Sequence, residues 1–295
     1  MVSGVKHPTK RIAAAVVTRR LLAPDDTLIT YYIAGHGPRV WVIPPGLGTP
    51  LIAWKRVIER FAGELTIITW CLRGTYESGA PRDLARLRVE DHVADLEAIV
   101  DAEGLERFAL GGWSLAVQIA LEYAARHPEQ VSALLLLNGA YEHVLRTALA
   151  PGLEPLLRAI VHGLARVGRP LGPLIAWSAR VAPQVAPHLG LVRRDAPLFG
   201  EVVRAFASLD WPIYFRMALQ ANQHTAAAHL DHVRAPTLIT AGDADRVTPI
   251  SIAHTMHRRI PGSELVVFPG GTHYTPTEFP DALNEALADF FARHP

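Results

Sequence analysis

The 295-residue chain has a single cysteine, Cys71, so no disulfide can close within it and its stability must come from packing. A reducing compartment is therefore acceptable. It also lacks an excess of either charge: 29 Lys and Arg stand against 28 Asp and Glu. The basic residues gather no further than pairs such as Arg19-Arg20, Arg193-Arg194 and Arg258-Arg259, which leaves no footprint for nucleic acid or an acidic membrane. Long apolar runs are missing as well. Ile12 to Val17 is too short for the core of a signal peptide and stops at Thr18-Arg19-Arg20. Phe108 to Leu121, broken by Gln118 and two glycines, falls short of the roughly 20 apolar residues that cross a bilayer. No integral membrane segment and a cytoplasmic location are expected. Internal repeats and low-complexity linkers are absent too.

What is present is apolar material. At 49% hydrophobic and 19% charged, the chain can fill one large core and a modest insertion, which excludes disorder. Short β-branched runs alternate with stretches of helical period, the pattern of an α/β protein with a mostly parallel central sheet flanked by helices. Ile12 to Leu22 and Thr27 to Ile33 flank the turn Ala23-Pro24-Asp25-Asp26, so the first strands should be antiparallel. The core strands are read as Arg39 to Ile43, Leu65 to Trp70, Phe108 to Gly111, Val131 to Asn138, Thr237 to Ala241 and Glu264 to Phe268. Val89, Val93, Leu96, Ile99 and Val100 mark one helix, and Leu283, Leu287 and Phe290 mark a closing helix introduced by Pro280.

The rhythm breaks between Tyr141 and His229. That stretch holds helical apolar patterns interrupted by Pro151, Pro155, Pro170, Pro173, Pro183, Pro187, Pro197 and Pro212, and the spacing predicts several short helices set at angles. We read residues 1–140 and 230–295 as the core and 141–229 as an inserted helical cap.

Chemistry concentrates at Gly111-Gly112-Trp113-Ser114-Leu115-Ala116, which follows the strand Phe108-Ala109-Leu110 and precedes the helical run Val117 to Arg126. A serine on a sharp strand-to-helix turn needs small neighbours two before and two after, because the backbone is strained and adjoining elements come close. Gly112 and Ala116 meet that need. Here the chain resembles the α/β-hydrolase superfamily, whose elbow is written G-x-S-x-G, with Ala116 in place of the last glycine. A serine hydroxyl is a weak nucleophile at neutral pH, so it needs a base, and the base needs a partner to fix its tautomer. Of the 14 histidines, His273 alone follows an apolar strand and a glycine turn, in Phe268-Pro269-Gly270-Gly271-Thr272-His273. This is similar to the superfamily's histidine loop, as is the Glu278-Phe279-Pro280 that follows. His254 with His257, and His229 with His232, are three apart on expected helices but lack a third ligand, so no metal or other cofactor is expected.

The acid should follow a strand between Ser114 and His273. Pro236 to Pro249 resembles the superfamily's acid loop, and the resemblance selects Asp245, three after Gly242 and four before Pro249. Asp243 is the alternative carboxylate, read as a turn residue. Two backbone N–H groups should meet the developing oxyanion, implied by position to be those of Leu115 and of Leu47 in Val42-Ile43-Pro44-Pro45-Gly46-Leu47-Gly48. Two departures stand out: Pro45 replaces the usual histidine of that loop, and in Cys71-Leu72-Arg73-Gly74-Thr75-Tyr76, Cys71 and Tyr76 replace an aspartate and a glycine. Trp113 and Tyr76 are read as substrate-binding, and Cys71 as a small buried residue.

The resemblance implies a serine hydrolase cleaving a small to medium apolar carboxylic ester through an acyl-enzyme, with Ser114, Asp245 and His273 as triad. A lactonase, a carbon-carbon bond hydrolase or an acyltransferase would use the same triad, and a slow-turnover binding protein is the reading from another class. The expected partner is a small apolar ester rather than nucleic acid; the oligomeric state is left open.

Overall fold

The computed structural model describes residues 12–143, 145 and 154–294. Strands β1 (Val16–Leu22) and β2 (Leu28–Ala34) form the expected antiparallel hairpin, with Val16 opposite Ala34 and Leu22 opposite Leu28. Then come β3 (Arg39–Ile43), a 3-10 turn (Leu51–Trp54), α1 (Lys55–Phe61), β4 (Leu65–Trp70), α2 (Val89–Glu103), β5 (Phe108–Trp113), α3 (Ala116–Arg126) and β6 (Val131–Leu137). The chain next runs through α4 (Glu154–Val185), α5 (Phe199–Phe206) and α6 (Trp211–Gln223). It returns to the sheet with β7 (Thr237–Gly242), α7 (Ile250–Arg259), β8 (Glu264–Phe268), α8 (Thr275–Glu278) and α9 (Pro280–Arg293).

Eight strands make one sheet in the order β1-β2-β4-β3-β5-β6-β7-β8, antiparallel at β1-β2-β4 and parallel from β4 onward. The central strands are apolar on both faces because both are covered, as parallel sheets require. Alternation splits the four consecutive leucines of β6: Leu134 and Leu136 join Val93, Leu96 and Val117 on one side, and Leu135 and Leu137 join Ile58, Phe61 and Phe290 on the other. α2 and α3 therefore pack against one face, and α1 and α9 against the other. Among the described residues, no helix is long and apolar enough to cross a membrane.

Among the described residues, the stretch between β6 and β7 adds no strand to the sheet, but its helices differ from the expectation of short segments. α4 runs 32 residues through Pro155, Pro170, Pro173 and Pro183. Pro155 sits in the first turn, where its missing N–H has no intrahelical partner anyway. Each interior proline costs an isolated helix about 3 kcal/mol. Burial of the inner side of α4 offsets that cost: Val161 and Ala165 pack with Ala218 and Leu219 of α6, and Ala179 packs with Phe199 and Val203 of α5. Pro212 opens α6 in the position that suits it, and Pro151 lies outside the described residues. After α6, His224 and His229 both donate through Nε2 to one oxygen of Glu122 on α3, at 3.2 Å each. These bonds tie the helical segment to the sheet layer. The His224 bond and the Arg126 guanidinium outweigh burial and hold the Glu122 carboxyl down at about 2.

Candidate active site

The residues at the carboxyl ends of β5, β6, β7 and β8, four neighbours in the sheet, converge on one point. β5 ends at Trp113, and Ser114 takes a left-handed backbone with φ of 66° before α3 begins at Ala116. A residue with a side chain pays about 1–3 kcal/mol for such a conformation, which the surrounding packing must enforce. Gly112 is part of that packing: a Cβ there would sit 2.6 Å from the carbonyl oxygen of Pro44 and 3.2 Å from the Cβ of Ala116. The methyl of Ala116 thus fits, provided position 112 stays bare.

Ser114 Oγ lies 2.9 Å from His273 Nε2, and His273 Nδ1 lies 2.9 Å from Asp245 Oδ2. An ionised carboxylate only accepts, so Nδ1 carries the imidazole proton and Nε2 is left to accept from the serine hydroxyl. Burial opposes ionisation of Asp245, but the bonds from His273 and Thr248 prevail and its carboxyl lies below the usual aspartate range. Asp245 Oδ1 accepts from the N–H groups of Val247 and Thr248, both at 2.8 Å, and the Thr248 hydroxyl donates to Oδ2 at 2.7 Å. Asp243 does something else: its Oδ1 accepts from the Gly270 N–H at 2.6 Å and ties the end of β7 to the turn after β8.

Two supporting residues were given no role by the sequence reading. Asn138, just past β6 and also left-handed with φ of 42°, donates to Thr272 O and Thr275 Oγ1 while accepting from Thr240. Its carbonyl oxygen lies 3.1 Å from the Thr248 hydroxyl oxygen. It therefore joins the acid loop to the histidine loop. Buried Glu278 accepts from the backbone and hydroxyl of Thr272 and from the Arg193 N–H, so it clamps the histidine loop from below. Glu278 belonged to a recognised tripeptide, whereas Asn138 carried no signal beyond its place at the end of an apolar strand.

Leu47, Trp113 and Leu115 line the same cavity as Ser114 and His273, a space of about 320 Å³. Gly46 abuts the serine, since a Cβ there would lie 3.3 Å from Ser114 Cβ. Among the described residues neither the Leu47 nor the Leu115 N–H has a protein partner. Trp113 donates from its indole to the His273 carbonyl at 2.7 Å and stacks obliquely on the imidazole. The remaining walls are mostly apolar, with Leu145, Val161, Phe206, Phe215 and Ala218 contributed by the segment between β6 and β7. Tyr214 and Tyr274 add two phenols, raised by burial and so protonated, whose hydroxyls have no hydrogen-bond partner among the described residues.

Tyr76 does not line this cavity. Its ring borders a neighbouring one of about 390 Å³ with Cys71, and its hydroxyl donates to the Gly48 carbonyl at 2.5 Å. The two departures from the superfamily pattern therefore meet: a tyrosine in place of a glycine holds the loop in which Pro45 replaces a histidine. Cys71 contacts Tyr32 Oη at 3.4 Å, and burial pushes its thiol up to about 11, so it stays neutral at physiological pH. Among the described residues no group of three His, Cys, Asp or Glu side chains is placed to hold a metal ion.

A sequence profile described as alpha/beta hydrolase fold matches residues 40–280. The chain belongs to the α/β-hydrolase family. This hydrolase is similar to an uncharacterised protein of Mycobacterium tuberculosis, 28% identical over 83% of this chain and 72% of that protein. It is also similar to a protein with the provisional name carbamate hydrolase RutD from Azorhizobium caulinodans, 25% identical over 90% of this chain and 95% of that one. The crystal structure of the enol-lactonase from Burkholderia xenovorans LB400 superposes with a TM-score of 0.77, covering 93% of this chain and all of that one at 18% identity, a likeness of fold. The chain is thus an enzyme, a hydrolase of the α/β fold.

Proposed function

We propose that this hydrolase cleaves carboxylic esters through an acyl-enzyme on Ser114. The observation that carries the reading is the unbroken relay from Ser114 Oγ through His273 to Asp245, opening onto an apolar cavity. Ser114 Oγ attacks the ester carbonyl carbon while His273 Nε2 takes its proton, and Asp245 stabilises the imidazolium. The carbonyl oxygen becomes an oxyanion that accepts from the Leu47 and Leu115 N–H groups. Collapse breaks the carbon–oxygen bond, and the departing alkoxide takes the proton from His273. Water, deprotonated by the same nitrogen, then attacks the acyl-serine, and the acid leaves as the proton returns to Ser114.

In this reading residues 141–229 act as a cap over a core of 1–140 and 230–295, and the cap sets the substrate. Walls built from Leu145, Val161, Phe206 and Phe215 favour an apolar acyl chain, each buried methylene contributing about 0.8 kcal/mol. Tyr214 and Tyr274 supply donors for one polar group of the substrate. A carbamate, the substrate class in the name of one relative, is small and charged and would find little to neutralise it on these walls. Two measurements test the reading: fluorophosphonate labelling followed by mapping of the adduct, and kcat/KM along p-nitrophenyl esters from acetate to decanoate. Labelling at Ser114 and a rise to a medium chain length are expected. No adduct at Ser114 would remove the nucleophile, and a monotonic fall from acetate, or faster turnover of carbamates, would remove the apolar substrate.

A further inference from the structure

Of the eleven large hydrophobic side chains exposed among the described residues, seven lie between Leu156 and Leu191. Five belong to α4: Leu156, Ile160, Leu174, Trp177 and Val185. At 3.6 residues per turn these five fall within an arc of about 100°, a single stripe along the helix. Leu174 is 60% exposed and Trp177 59%, values far from those of the sheet core. The five fall in two groups, Leu156 with Ile160 and Leu174 with Trp177 and Val185, and monomeric proteins seldom leave such apolar groups aligned in water unless something covers them.

The flank of the stripe says what covers it. Arg158, Arg166 and Arg180 are exposed and fall within about 80° of one another on the same helix. Among the described residues none of the three has an acidic partner within ion-pair distance. The one acid of α4, Glu154, already accepts from Asn222 Nδ2 at 3.2 Å. α4 thus has an inner face packed on α5 and α6, an outer apolar stripe and an unpaired basic flank. We propose that α4 docks this hydrolase on an anionic lipid surface, lying in the interface plane with the stripe among the acyl chains and the arginines among the headgroups.

The physical logic is that of an interfacial amphipathic helix, where buried apolar area and attraction to anionic lipid act together. α4 cannot span a bilayer instead, because Glu154, Arg158, Arg166, Arg169 and Arg180 divide it. A second copy seated on the stripe would add another uncompensated basic flank rather than neutralise the first. Linear spacing hides the arrangement: no two of these arginines are adjacent in sequence, and only the helical turn collects them. Val161 faces the Ser114 cavity while Ile160 beside it faces outward, so docking places the cavity wall at the lipid. None of this depends on the ester reading.

The test is co-sedimentation of the whole chain with phosphatidylcholine vesicles with and without phosphatidylglycerol, with thermal melting to show that each variant is folded. The wild type should pellet with the phosphatidylglycerol vesicles, and Leu174→Glu with Trp177→Glu should lower the bound fraction roughly tenfold or more. Arg158→Gln, Arg166→Gln and Arg180→Gln together should abolish the preference for phosphatidylglycerol. The proposal falls if the wild type stays in the supernatant with every vesicle, or if the Leu174/Trp177 variant pellets equally well. It also falls if the wild type is a dimer that this variant splits while neither binds lipid, since the stripe would then belong to a second copy.

Discussion

At and beneath the floor of the cavity, Ser114, Asn138, Asp245 and His273 follow four adjacent strands, joined by direct bonds or through Thr248 and Thr272. Across the roof, α4, α5 and α6 offer mainly van der Waals surface, and α4 is interrupted by prolines and leaves large apolar side chains in solvent on its far side. Hydrogen bonds at strand ends fix atoms to within tenths of an ångström, as proton transfer requires. Apolar packing fixes a shape more loosely. Damage to the floor should therefore abolish turnover, whereas damage to the roof should redirect or loosen it.

The largest expected effect is at the floor. Ser114→Ala should lower ester hydrolysis by at least about a thousandfold while the melting temperature changes little, since alanine keeps the Cβ and with it the same left-handed strain. Activity near that of the wild type, with contaminating esterases excluded, would break the contrast. Next comes the acid: Asp245→Asn should cost about a hundredfold or more, because the amide would stabilise the wrong imidazole tautomer. Asp243→Asn, which perturbs one loop tie, should cost less than about tenfold. The reverse ranking in two folded variants would transfer the role to Asp243.

A smaller effect is expected where the floor meets the loop proposed to bind the oxyanion. Tyr76→Phe removes the bond to the Gly48 carbonyl and should lower kcat about threefold to tenfold with little change in KM, since the loop matters most when the oxyanion forms. A change confined to KM would instead make Tyr76 a substrate contact. The smallest effect is in the tie between floor and roof. Because the Glu122 carboxyl is held down at about 2, against about 4.3 in an unfolded chain, it contributes stability above the unfolded value. That contribution is lost as pH falls from about 4.3 toward 2. Melting curves of the wild type and Glu122→Gln should differ by a few degrees at pH 5 and converge by about pH 2, and parallel curves would show that the tie carries no load.

The central strands were legible because both faces of the sheet are covered there, so their residues are apolar whichever way they point. The elbow and the two loops were legible because strained turns accept few residue types: Gly112 is bare because Pro44 O lies against it. Asn138 and the phenols of Tyr214 and Tyr274 were not legible, since an asparagine after a strand or a tyrosine on a helix has no spacing that marks it. The continuity of α4 through its prolines was misread for a related reason: local propensity opposes it, and only packing against α5 and α6 outweighs that cost.

By itself the sequence determined the elements whose residues answer to local rules: the strand pattern, the elbow at Ser114, the histidine loop and the acid loop with its two candidate aspartates. Tertiary structure decided everything that depends on which distant atoms meet. It put Asp245 rather than Asp243 against His273, and turned Tyr76 away from the cavity to hold Gly48. It also gathered scattered arginines onto one flank of α4. Local rules act through backbone conformation and are written within a few residues, whereas hydrogen bonds and packing join residues more than a hundred positions apart, such as Ser114 and His273.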